Sequence, residues 1–379
     1  MKLQEKIQFH KPITTSREFF KDNIGVKCVH YGDIYKNYSG KTIPSSCIIN
    51  NFANEVSSDK LLYCDSIIVP DVTETVSDWG HFTYIKYDGT PYINGTHAVA
   101  LTCQSEDELK YIFRYLSSNY NRKRLQTLLN GSTVFQISIK DFGRFFLENY
   151  HESQAEQSHI VDILGTLDEK IENNEKNIAL MLQLCKEKFS LLSSQSNIKT
   201  TLKNLCEFAI CGTTPSTKAP ELWNGNIPFI TTPDMNNKVF VFDTERTVAY
   251  SDKIKSKLIS EDSISVSCIG TIGVIGMATE LSLTNQQINT LIPRTNQKYY
   301  LYNLLLANID AIKAIATGSA TPNISKESFL KLDVYVCSEK DICSFNEDVT
   351  PIYETIKKLQ IENRKIKELK QLYLKKFFG

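Results

Sequence analysis

Gly131-Ser132-(x4)-Ile137-Ser138-(x3)-Phe142 returns later in the chain as Gly318-Ser319-(x4)-Ile324-Ser325-(x3)-Phe329, at an offset of 187 residues. Three further segments return in the same order: 26–34 as 227–235 at offset 201, 65–69 as 262–266 at offset 197, and Asn94 with 98–101 as Asn285 with 289–292 at offset 191. Each match alone is weak, but their common order predicts two divergent copies of one folding unit. Two diverged copies are typical of two similar tasks performed on different targets.

The bulk composition is that of a soluble protein with more than one domain. A length of 379 residues allows two or three domains, and 41% hydrophobic with 23% charged residues is ordinary for globular chains. The net charge of +0 argues against indiscriminate binding of polyanions by the isolated chain. It permits a local basic face, or DNA binding that is shared with a partner.

Cysteines and histidines lack the spacing of metal sites. The 10 cysteines include no C-x-x-C pair, and the 6 histidines include no H-x-x-x-H. We therefore interpret the cysteines as small apolar core residues in a reducing compartment, and we expect no metal site. The sequence has no signal-like N-terminal segment and no 18-residue apolar run, so we expect a cytoplasmic protein without membrane contact.

Each copy combines a β-rich irregular part with a long amphipathic helix. Runs of β-branched and aromatic residues predict globular domains at 1–150 and 197–338. Apolar residues spaced three and four apart predict long helices at 151–196 and 339–379, with Pro351 in the first turn of the second helix. The predicted fold class is α+β: two pseudo-repeated globular domains separated by two long antiparallel helices that form a coiled-coil spacer. The predicted contact residues of this spacer are Leu167, Ile171, Asn174, Ile178, Ile356, Leu359, Asn363 and Ile366.

Each apolar stripe has one polar interruption, Asn174 in the first helix and Asn363 in the second, at an offset of 189 residues. A polar residue in a coiled-coil seam fixes the register at some cost in stability. The alternative, that both asparagines lie at the edge of the seam, stays open at this point.

Motifs for catalysis are missing from the sequence. Gly270-Thr271-Ile272-Gly273 is too short for a phosphate-binding loop and predicts a tight turn after a strand. The Asn/Asp-Pro-Pro-Tyr tetrapeptide of amino-methyltransferases is absent, and no nuclease motif or nucleophile elbow is complete. A self-contained methyltransferase or nuclease is therefore disfavoured, and two globular domains without catalytic motifs suggest recognition.

Polar and basic side chains in the loops of both domains suit nucleic acid. Arg and Lys bind phosphates, whereas Gln, Asn and Arg can read base edges with two hydrogen bonds. For any one residue an ordinary solvated loop is the simpler alternative, and the basic run 122–124 is equally typical of a helix C-terminus. The candidate DNA-binding residues are Lys36, Arg122, Lys123, Arg124, Gln126, Ser132 and Gln136 in the first domain, and Ser216, Lys218, Thr231, Thr232, Gln286, Gln287, Ser319, Thr321, Asn323 and Lys326 in the second.

Several motifs together carry a family resemblance. They are Leu167-Asp168-Glu169-Lys170-Ile171-Glu172-Asn173-Asn174, Gly212-Thr213-Thr214-Pro215-Ser216, Trp223-Asn224-Gly225-Asn226-Ile227-Pro228-Phe229-Ile230, Gly270-Thr271-Ile272-Gly273, Asn285-Gln286-Gln287-Ile288 and Leu372-Tyr373-Leu374-Lys375-Lys376-Phe377-Phe378. With these motifs the chain resembles the specificity subunit of type I restriction–modification systems over essentially its whole length. The first domain departs most, since it has no Gly-Thr-Ile-Gly equivalent after Val69 and a degenerate start at 12–23.

The resemblance implies a division of labour. Each globular domain would be a target-recognition domain that reads one half of a split, asymmetric site in double-stranded DNA, and the helices would set the gap between the halves. Two modification subunits would dock on the chain and carry S-adenosylmethionine. Restriction subunits, whose presence the sequence leaves open, would add ATP- and magnesium-dependent translocation and cleavage. The chain itself would be non-catalytic and hold no cofactor.

A second hypothesis from another class remains. The duplicated domains and the coiled coil also fit a protein-interaction scaffold without DNA binding, which the near-neutral charge weakly favours. Polar loops at equivalent positions of both copies favour DNA recognition.

Overall fold

The computed structural model describes residues 1–318 and 321–379, which form two compact units. The first unit comprises Met1–Ile171 with Lys365–Gly379, and the second comprises Glu172–Arg364. The helices are α1 (Tyr31–Asp33), α2 (Glu106–Ser117), α3 (Asn119–Gln126), α4 (Ile139–Gly143), α5 (Gln154–Ser193), α6 (Thr232–Met235), α7 (Lys298–Ala307), α8 (Ile309–Ala314), α9 (Lys326–Leu330) and α10 (Glu339–Phe378).

The strands fall into the same two units. In the first unit they are β1 (Gln8–His10), β2 (Val26–Val29), β3 (Thr42–Pro44), β4 (Asn51–Phe52), β5 (Ser66–Pro70), β6 (Val72–Thr73), β7 (Thr83–Lys86), β8 (Tyr92–Asn94), β9 (Ala98–Thr102) and β10 (Phe135–Gln136). In the second they are β11 (Ile198–Thr201), β12 (Cys206–Cys211), β13 (Trp223–Ile230), β14 (Phe240–Val241), β15 (Arg246–Val248), β16 (Leu258–Ile259), β17 (Ile264–Ser267), β18 (Ile275–Ala278), β19 (Ser282–Thr284), β20 (Ile288–Pro293) and β21 (Asp333–Val336).

The two globular domains share one sheet topology. The main sheet of the first has the order β1-β9-β5-β7-β3, and that of the second has the order β12-β20-β17-β18-β14. In each sheet the first three pairings are antiparallel and the last is parallel. A smaller sheet repeats as well. In the first domain β2 pairs antiparallel with β4 and parallel with β8, and in the second β13 pairs antiparallel with β15 and parallel with β19. The predicted duplication is therefore present in the fold.

The quoted repeat has a structural reason. Gly131 and Gly318 both have positive φ, at 137° and 96°, a region that favours glycine. Ser138 and Ser325 then cap the short helices α4 and α9 by accepting a hydrogen bond from a backbone N–H three residues on. The phenylalanine four residues after each serine, Phe142 or Phe329, is buried in the core of its unit.

One predicted offset was wrong by a single residue. Ile67 pairs with Leu101 in the first domain, and Ile264 pairs with Leu291 in the second, so the last segment repeats at offset 190 rather than 191. The sequence match rests on Asn94 with Asn285 and on the apolar stretches that follow them, and none of these contains a signal for strand register. A shift of one residue in a strand moves every side chain to the opposite face, so the register decides this equivalence.

The long helices α5 and α10 run antiparallel within each unit. In the first unit Ile160 and Leu164 share a core with Leu374 and Phe378. In the second, Cys185 and Phe189 share a core with a run of α10 residues from Phe345 to Ile356. Of the predicted contact residues, Asn174, Ile356 and Asn363 are buried, and Leu167, Ile171, Ile178, Leu359 and Ile366 are half-buried.

The two asparagines form the seam rather than its edge. Asn174 is 2% and Asn363 6% exposed, and the Asn174 Nδ2 donates to Asn363 Oδ1 at 2.8 Å. The same Nδ2 lies 2.8 Å from Glu362 Oε2. The two amides are hydrogen-bonded to each other where apolar side chains flank them, so this position pins the helix register within the second unit.

Pro351 lies inside α10 rather than in its first turn, because the helix already begins at Glu339. A proline has no N–H for the preceding turn, but Pro351 is exposed, so water can reach the carbonyl that loses its partner. Among the described residues, no helix is both long and apolar enough to cross a membrane.

Candidate nucleic-acid interface

Loops at one end of the second domain converge to form a surface that we call the second rim. It comprises residues 212–218, 231–232, 268–273 and 285–287. Thr213 N donates to Thr284 O at 2.8 Å, and Asn285 N donates to Ile230 O at 3.2 Å. These backbone bonds tie together loops that are far apart in the sequence.

Gly212 makes the closest approach in this surface. A Cβ at this position would lie 2.2 Å from Asn285 O and 2.3 Å from Thr284 O. Only glycine allows the chain to pass this close to the backbone of Thr284 and Asn285 as it leaves β12. Glycine at position 212 is therefore a steric requirement of the loop junction.

The second rim presents oriented amides and hydroxyls. Thr214 Oγ1 donates to Gln286 Oε1. Asn285 Nδ2 donates to Gln287 Oε1 at 3.1 Å, and Gln287 N donates back to Asn285 Oδ1 at 3.1 Å. Side-chain amides that are fixed in this way are the groups that read adenine edges with paired hydrogen bonds.

Thr231 and Thr232 start helix α6 beside these amides. Asp234 Oδ2 accepts from Thr231 N at 2.8 Å and from Thr231 Oγ1 at 2.5 Å, which forms a capping box. Its Oδ1 accepts from Glu245 N at 3.0 Å, so this carboxylate also anchors the loop before β15. Thr232 Oγ1 is buried and has no hydrogen-bond partner among the described residues.

The glycine pair of the Gly270-Thr271-Ile272-Gly273 motif forms a turn, as the sequence predicted. Gly270 and Gly273 have positive φ of 71° and 90°. Gly270 N donates to Pro322 O at 3.0 Å, and Asn323 N donates to Thr317 O at 2.9 Å, which brings the loop before α9 against this turn. The exposed candidates on this side are Thr321, Asn323 and Lys326, whereas Ser319 lies outside the described residues.

An aromatic and basic group flanks the second rim. Ser216 O accepts from Trp223 Nε1 at 3.1 Å, and Ser216 Oγ accepts from Lys218 N at 3.2 Å. The Arg246 guanidinium stacks 3.5 Å from the centre of the Trp223 ring. Sequence reasoning missed Arg246, since one arginine in a strand gives no motif and only the pairing of β13 with β15 brings it to tryptophan.

The equivalent surface of the first domain, which we call the first rim, comprises residues 30–31, 71–72 and 95–97 and contains His30, Tyr31 and His97. Helix α1 begins with a capping box in which Gly32 N donates to His30 Nδ1 at 3.3 Å and His30 N donates to Asp33 Oδ2 at 3.1 Å. The His97 ring stands edge-on to Tyr31, with centroids 5.6 Å apart. Its Nδ1 lies 2.9 Å from Asp71 Oδ1.

Burial shapes the electrostatics of the first domain. Burial lowers the pKa of His30 despite the nearby Asp33 carboxylate. Burial, and then the positive charge of Arg122, lower the pKa of His81. These imidazoles are therefore held towards their neutral form, in which each has one donor and one acceptor nitrogen.

The basic run of the first domain is partly engaged in the fold. Arg124 forms an ion pair with Glu148 at 2.7 Å, donates to Phe146 O at 2.9 Å and lies 4.7 Å from the centre of the Phe145 ring. Gln126 Nε2 donates to Trp79 O at 2.8 Å. Both side chains brace α3 against its own domain, and DNA contact by them stays a prediction.

The other first-domain candidates are more accessible. Lys36, Lys123, Ser132 and Gln136 are exposed, and Arg122 is half-buried with its stem over Gly80. Gln136 pairs with Val72 in the two-stranded sheet and so lies beside the first rim. Among the described residues no cluster of three or more His, Cys, Asp or Glu side chains has the geometry of a metal site.

Comparison with known proteins gives a family match along most of the chain. The family model described as type I restriction modification DNA specificity domain matches residues 8–182 and again 195–371. The two matches coincide with the two structural copies.

The similar proteins include two curated proteins and a solved structure. The chain is 35% identical over 171 residues to the type I restriction enzyme HindI specificity subunit of Haemophilus influenzae, covering 44% of this chain and 37% of that protein. It is 27% identical over 135 residues to the type I restriction enzyme MjaIX specificity subunit of Methanocaldococcus jannaschii, covering 32% of this chain and 30% of that protein. These alignments span less than half of either relative. The crystal structure of the type I restriction–modification system S subunit from M. genitalium matches 100% of this chain and 95% of that chain, with a TM-score of 0.61 and 18% identity, which shows a shared fold.

Proposed function

This chain belongs to the type I restriction–modification DNA specificity family, and from that membership we propose that it reads a bipartite, asymmetric sequence in double-stranded DNA. Each globular domain reads one half-site through its rim. The family match favours this function over a protein-interaction scaffold.

One observation carries the proposal: equivalent rims on main sheets of the same strand order differ in chemistry. The first rim has half-buried Tyr31 and His97 beside the buried His30, whereas the second has half-buried Thr231, Thr232 and Gln287 at the matching positions. Groups of different hydrogen-bonding pattern select different base edges. Two copies with one fold and two chemistries are what an asymmetric split site requires.

The long helices present surfaces for partner subunits. Leu180 and Leu184 on α5 are 64% and 45% exposed, and Leu369 and Leu372 on α10 are 42% and 66% exposed. Leu180 and Leu369 are separated by 189 residues, the offset of the paired asparagines. This one equivalent pair, with a further exposed leucine near it on each helix, supports docking of two modification subunits, one on each helix.

The chemistry belongs to the partners in this proposal. The modification subunits carry S-adenosylmethionine and methylate adenine, and restriction subunits, where present, carry ATP and magnesium. The chain places those active sites on the DNA and is not itself an enzyme.

Methylation of source DNA with labelled S-adenosylmethionine tests the proposal. The purified chain alone should incorporate no label above a heat-treated control. Addition of the modification subunit should give adenine methylation confined to one bipartite sequence, from a complex with two modification subunits per chain by native mass spectrometry. Incorporation by the chain alone, or methylation without sequence preference, would contradict it.

The interval between the half-sites follows from helix length in this proposal. Insertion of four residues after Asn177 in α5 and four after Leu359 in α10 adds about 6 Å of helix to each, and four residues keep each apolar stripe on nearly the same face. DNA rises about 3.4 Å per base pair, so the unread gap should grow by roughly one to two base pairs with unchanged half-sites. Retained methylation with an unaltered gap would show that the helices do not set the interval.

A further inference from the structure

Arg246 is a cation held in a fixed orientation beside the second rim. It lies in β15 opposite Phe229 in β13. Its guanidinium is 3.5 Å from the centre of the Trp223 ring and 5.9 Å from the centre of the Phe229 ring. A guanidinium that stacks on an aromatic face keeps its N–H donors along its edge, where they can bind an external acceptor.

The platform under this arginine is itself braced. The Trp223 ring stands edge-on to Phe229 with centroids 5.2 Å apart, and its Nε1 donates to Ser216 O at 3.1 Å. The ring therefore has one orientation, and it restricts the guanidinium above it. Restriction before binding reduces the entropy that is lost when a ligand is bound.

The usual reason for an ordered surface arginine is a carboxylate partner, and Arg246 has none among the described residues. Two neighbouring acids are committed elsewhere, whereas Glu245, directly before Arg246, is exposed. Asp234 accepts hydrogen bonds from Thr231 and from Glu245 N, and Asp243 pairs with Arg364 at 2.9 Å. The Arg246 guanidinium therefore forms no ion pair within the described part of the domain.

The position favours a phosphate over a base edge. Strand β15 is the edge strand of its sheet, so Arg246 flanks the amides of Gln286 and Gln287 instead of standing among them. The exposed Lys218, the last residue of its rim loop, is tied to the same tryptophan because Ser216 accepts from both Lys218 N and Trp223 Nε1. Charged groups around an uncharged polar centre match DNA, whose phosphates border the groove in which base edges are exposed.

We propose that Arg246, positioned by Trp223, binds a backbone phosphate of the second half-site. This rests on the proposed function and deepens it, because it assigns the affinity of one domain to a particular residue. The guanidinium donates two hydrogen bonds to the phosphate oxygens, which is the geometry that arginine provides and lysine does not.

The first domain has no such device at the matching position. Cys28 in β2 is the equivalent of Phe229 in β13, and its N donates to Asn50 O. Because Arg246 is the residue opposite Phe229, Asn50 is the first-domain equivalent of Arg246. Its Nδ2 donates to Asp33 Oδ2 at 2.7 Å and is satisfied within the domain. The phosphate contact is therefore specific to the second half-site.

The test compares Arg246→Gln, Arg246→Lys and the control Lys203→Gln in complex with the modification subunit. Lys203 is exposed at the opposite end of β12, so its substitution removes the same charge from the same domain away from the rim. Binding of cognate and scrambled duplexes is measured by fluorescence anisotropy at several salt concentrations. Circular dichroism confirms that each variant is folded.

Arg246→Gln should weaken binding of cognate and scrambled DNA alike by about tenfold, the effect of one charge-assisted contact, and should lower the salt slope by about one unit. Arg246→Lys should keep the salt slope and lose about threefold, because the charge stays and the paired geometry does not. Lys203→Gln should match the unmodified chain.

Unchanged affinity of Arg246→Gln would overturn the phosphate contact. A loss confined to cognate DNA, with relaxed preference at one base pair, would also overturn it in favour of base reading. Failure of the proposed function is distinguishable, because the unmodified complex would then bind cognate and scrambled duplexes equally whatever the variants did.

Discussion

The two globular domains have the same main-sheet topology but differ in the side chains of their rims. Their sheets share strand order and pairing sense, and both rims begin with a capping box, His30 with Asp33 in the first and Thr231 with Asp234 in the second. The contacts on the rims differ. The fold depends on glycines, caps and core phenylalanines that recur, whereas the side chains that face outward have diverged freely.

The domains also differ in how their polar groups are satisfied. In the first, Arg124 pairs with Glu148 and Asn50 with Asp33 inside the domain. In the second, Arg246 is stacked on Trp223 without a carboxylate among the described residues. The second domain is therefore expected to contribute more phosphate affinity per exposed cation than the first.

Removal of the capping-box carboxylates should have the largest effect on the free energy of unfolding, and the size of the effect should differ between the two domains. Asp234 is 8% exposed and accepts from Thr231 N, Thr231 Oγ1 and Glu245 N. Asp234→Ala should cost about 2–4 kcal/mol of the free energy of unfolding, since three bonds to a charged acceptor are lost. Asp33 is half-buried, and Asp33→Ala should cost about 1–2 kcal/mol.

Urea unfolding with hydrogen exchange resolved by peptide measures both losses in their own domains. Asp243→Ala is the matched control, because its ion pair with Arg364 is exposed and should contribute less than about 1 kcal/mol. Equal losses for Asp234→Ala and Asp243→Ala would refute the anchoring role of the capping box.

The asparagine seam should give the next largest effect. Asn174→Leu removes the donor to Asn363 Oδ1 and should destabilise the second unit by about 1–2 kcal/mol. The double variant Asn174→Leu/Asn363→Leu should recover most of that loss, because two apolar residues replace both amides. A double variant as unstable as the sum of the two single variants would show that the hydrogen bond between the two asparagines does not couple them.

Acid should lower the stability of the first unit more than that of the second, and this is the smallest of the expected effects. All 6 histidines lie at or before position 159, and the second unit, Glu172–Arg364, contains none. Burial lowers the pKa of His10 and, with smaller contributions from neighbouring charges, of His30 and His81. The unfolded chain then binds more protons, so stability is full above about pH 6.5 and is lost as the pH falls below it.

Hydrogen exchange at about pH 7.5 and about pH 5.5, corrected for intrinsic rates, checks this. At the lower pH, protection of backbone amides should fall around β1 and β2 and should be unchanged in β12 and β20. Replacement of His30 by Gln should reduce the difference. An equal loss of protection in both units would show that carboxylates, and not these histidines, govern the response to acid.

The sequence predicted the duplication and the paired helices because their signals are periodic or recur. Ser138 and Ser325 are caps, and Asn174 and Asn363 interrupt regular apolar stripes, so both pairs are visible without coordinates. The predicted offset between β9 and β20 is one residue too large, because the sequence match follows the identity of Asn94 with Asn285 and strand pairing is invisible in the sequence. Arg246 was missed because its importance depends on Trp223, which lies 23 residues away and meets it only across two strands.

The central claim is that each domain reads one half-site independently. The most direct measurement exchanges residues 197–338 for the equivalent domain of a relative and maps methylated adenines in cells that contain the modification subunit. The account predicts that one half of the bipartite site changes, while the other half and the gap stay the same. A change in both halves, or in neither, would contradict it.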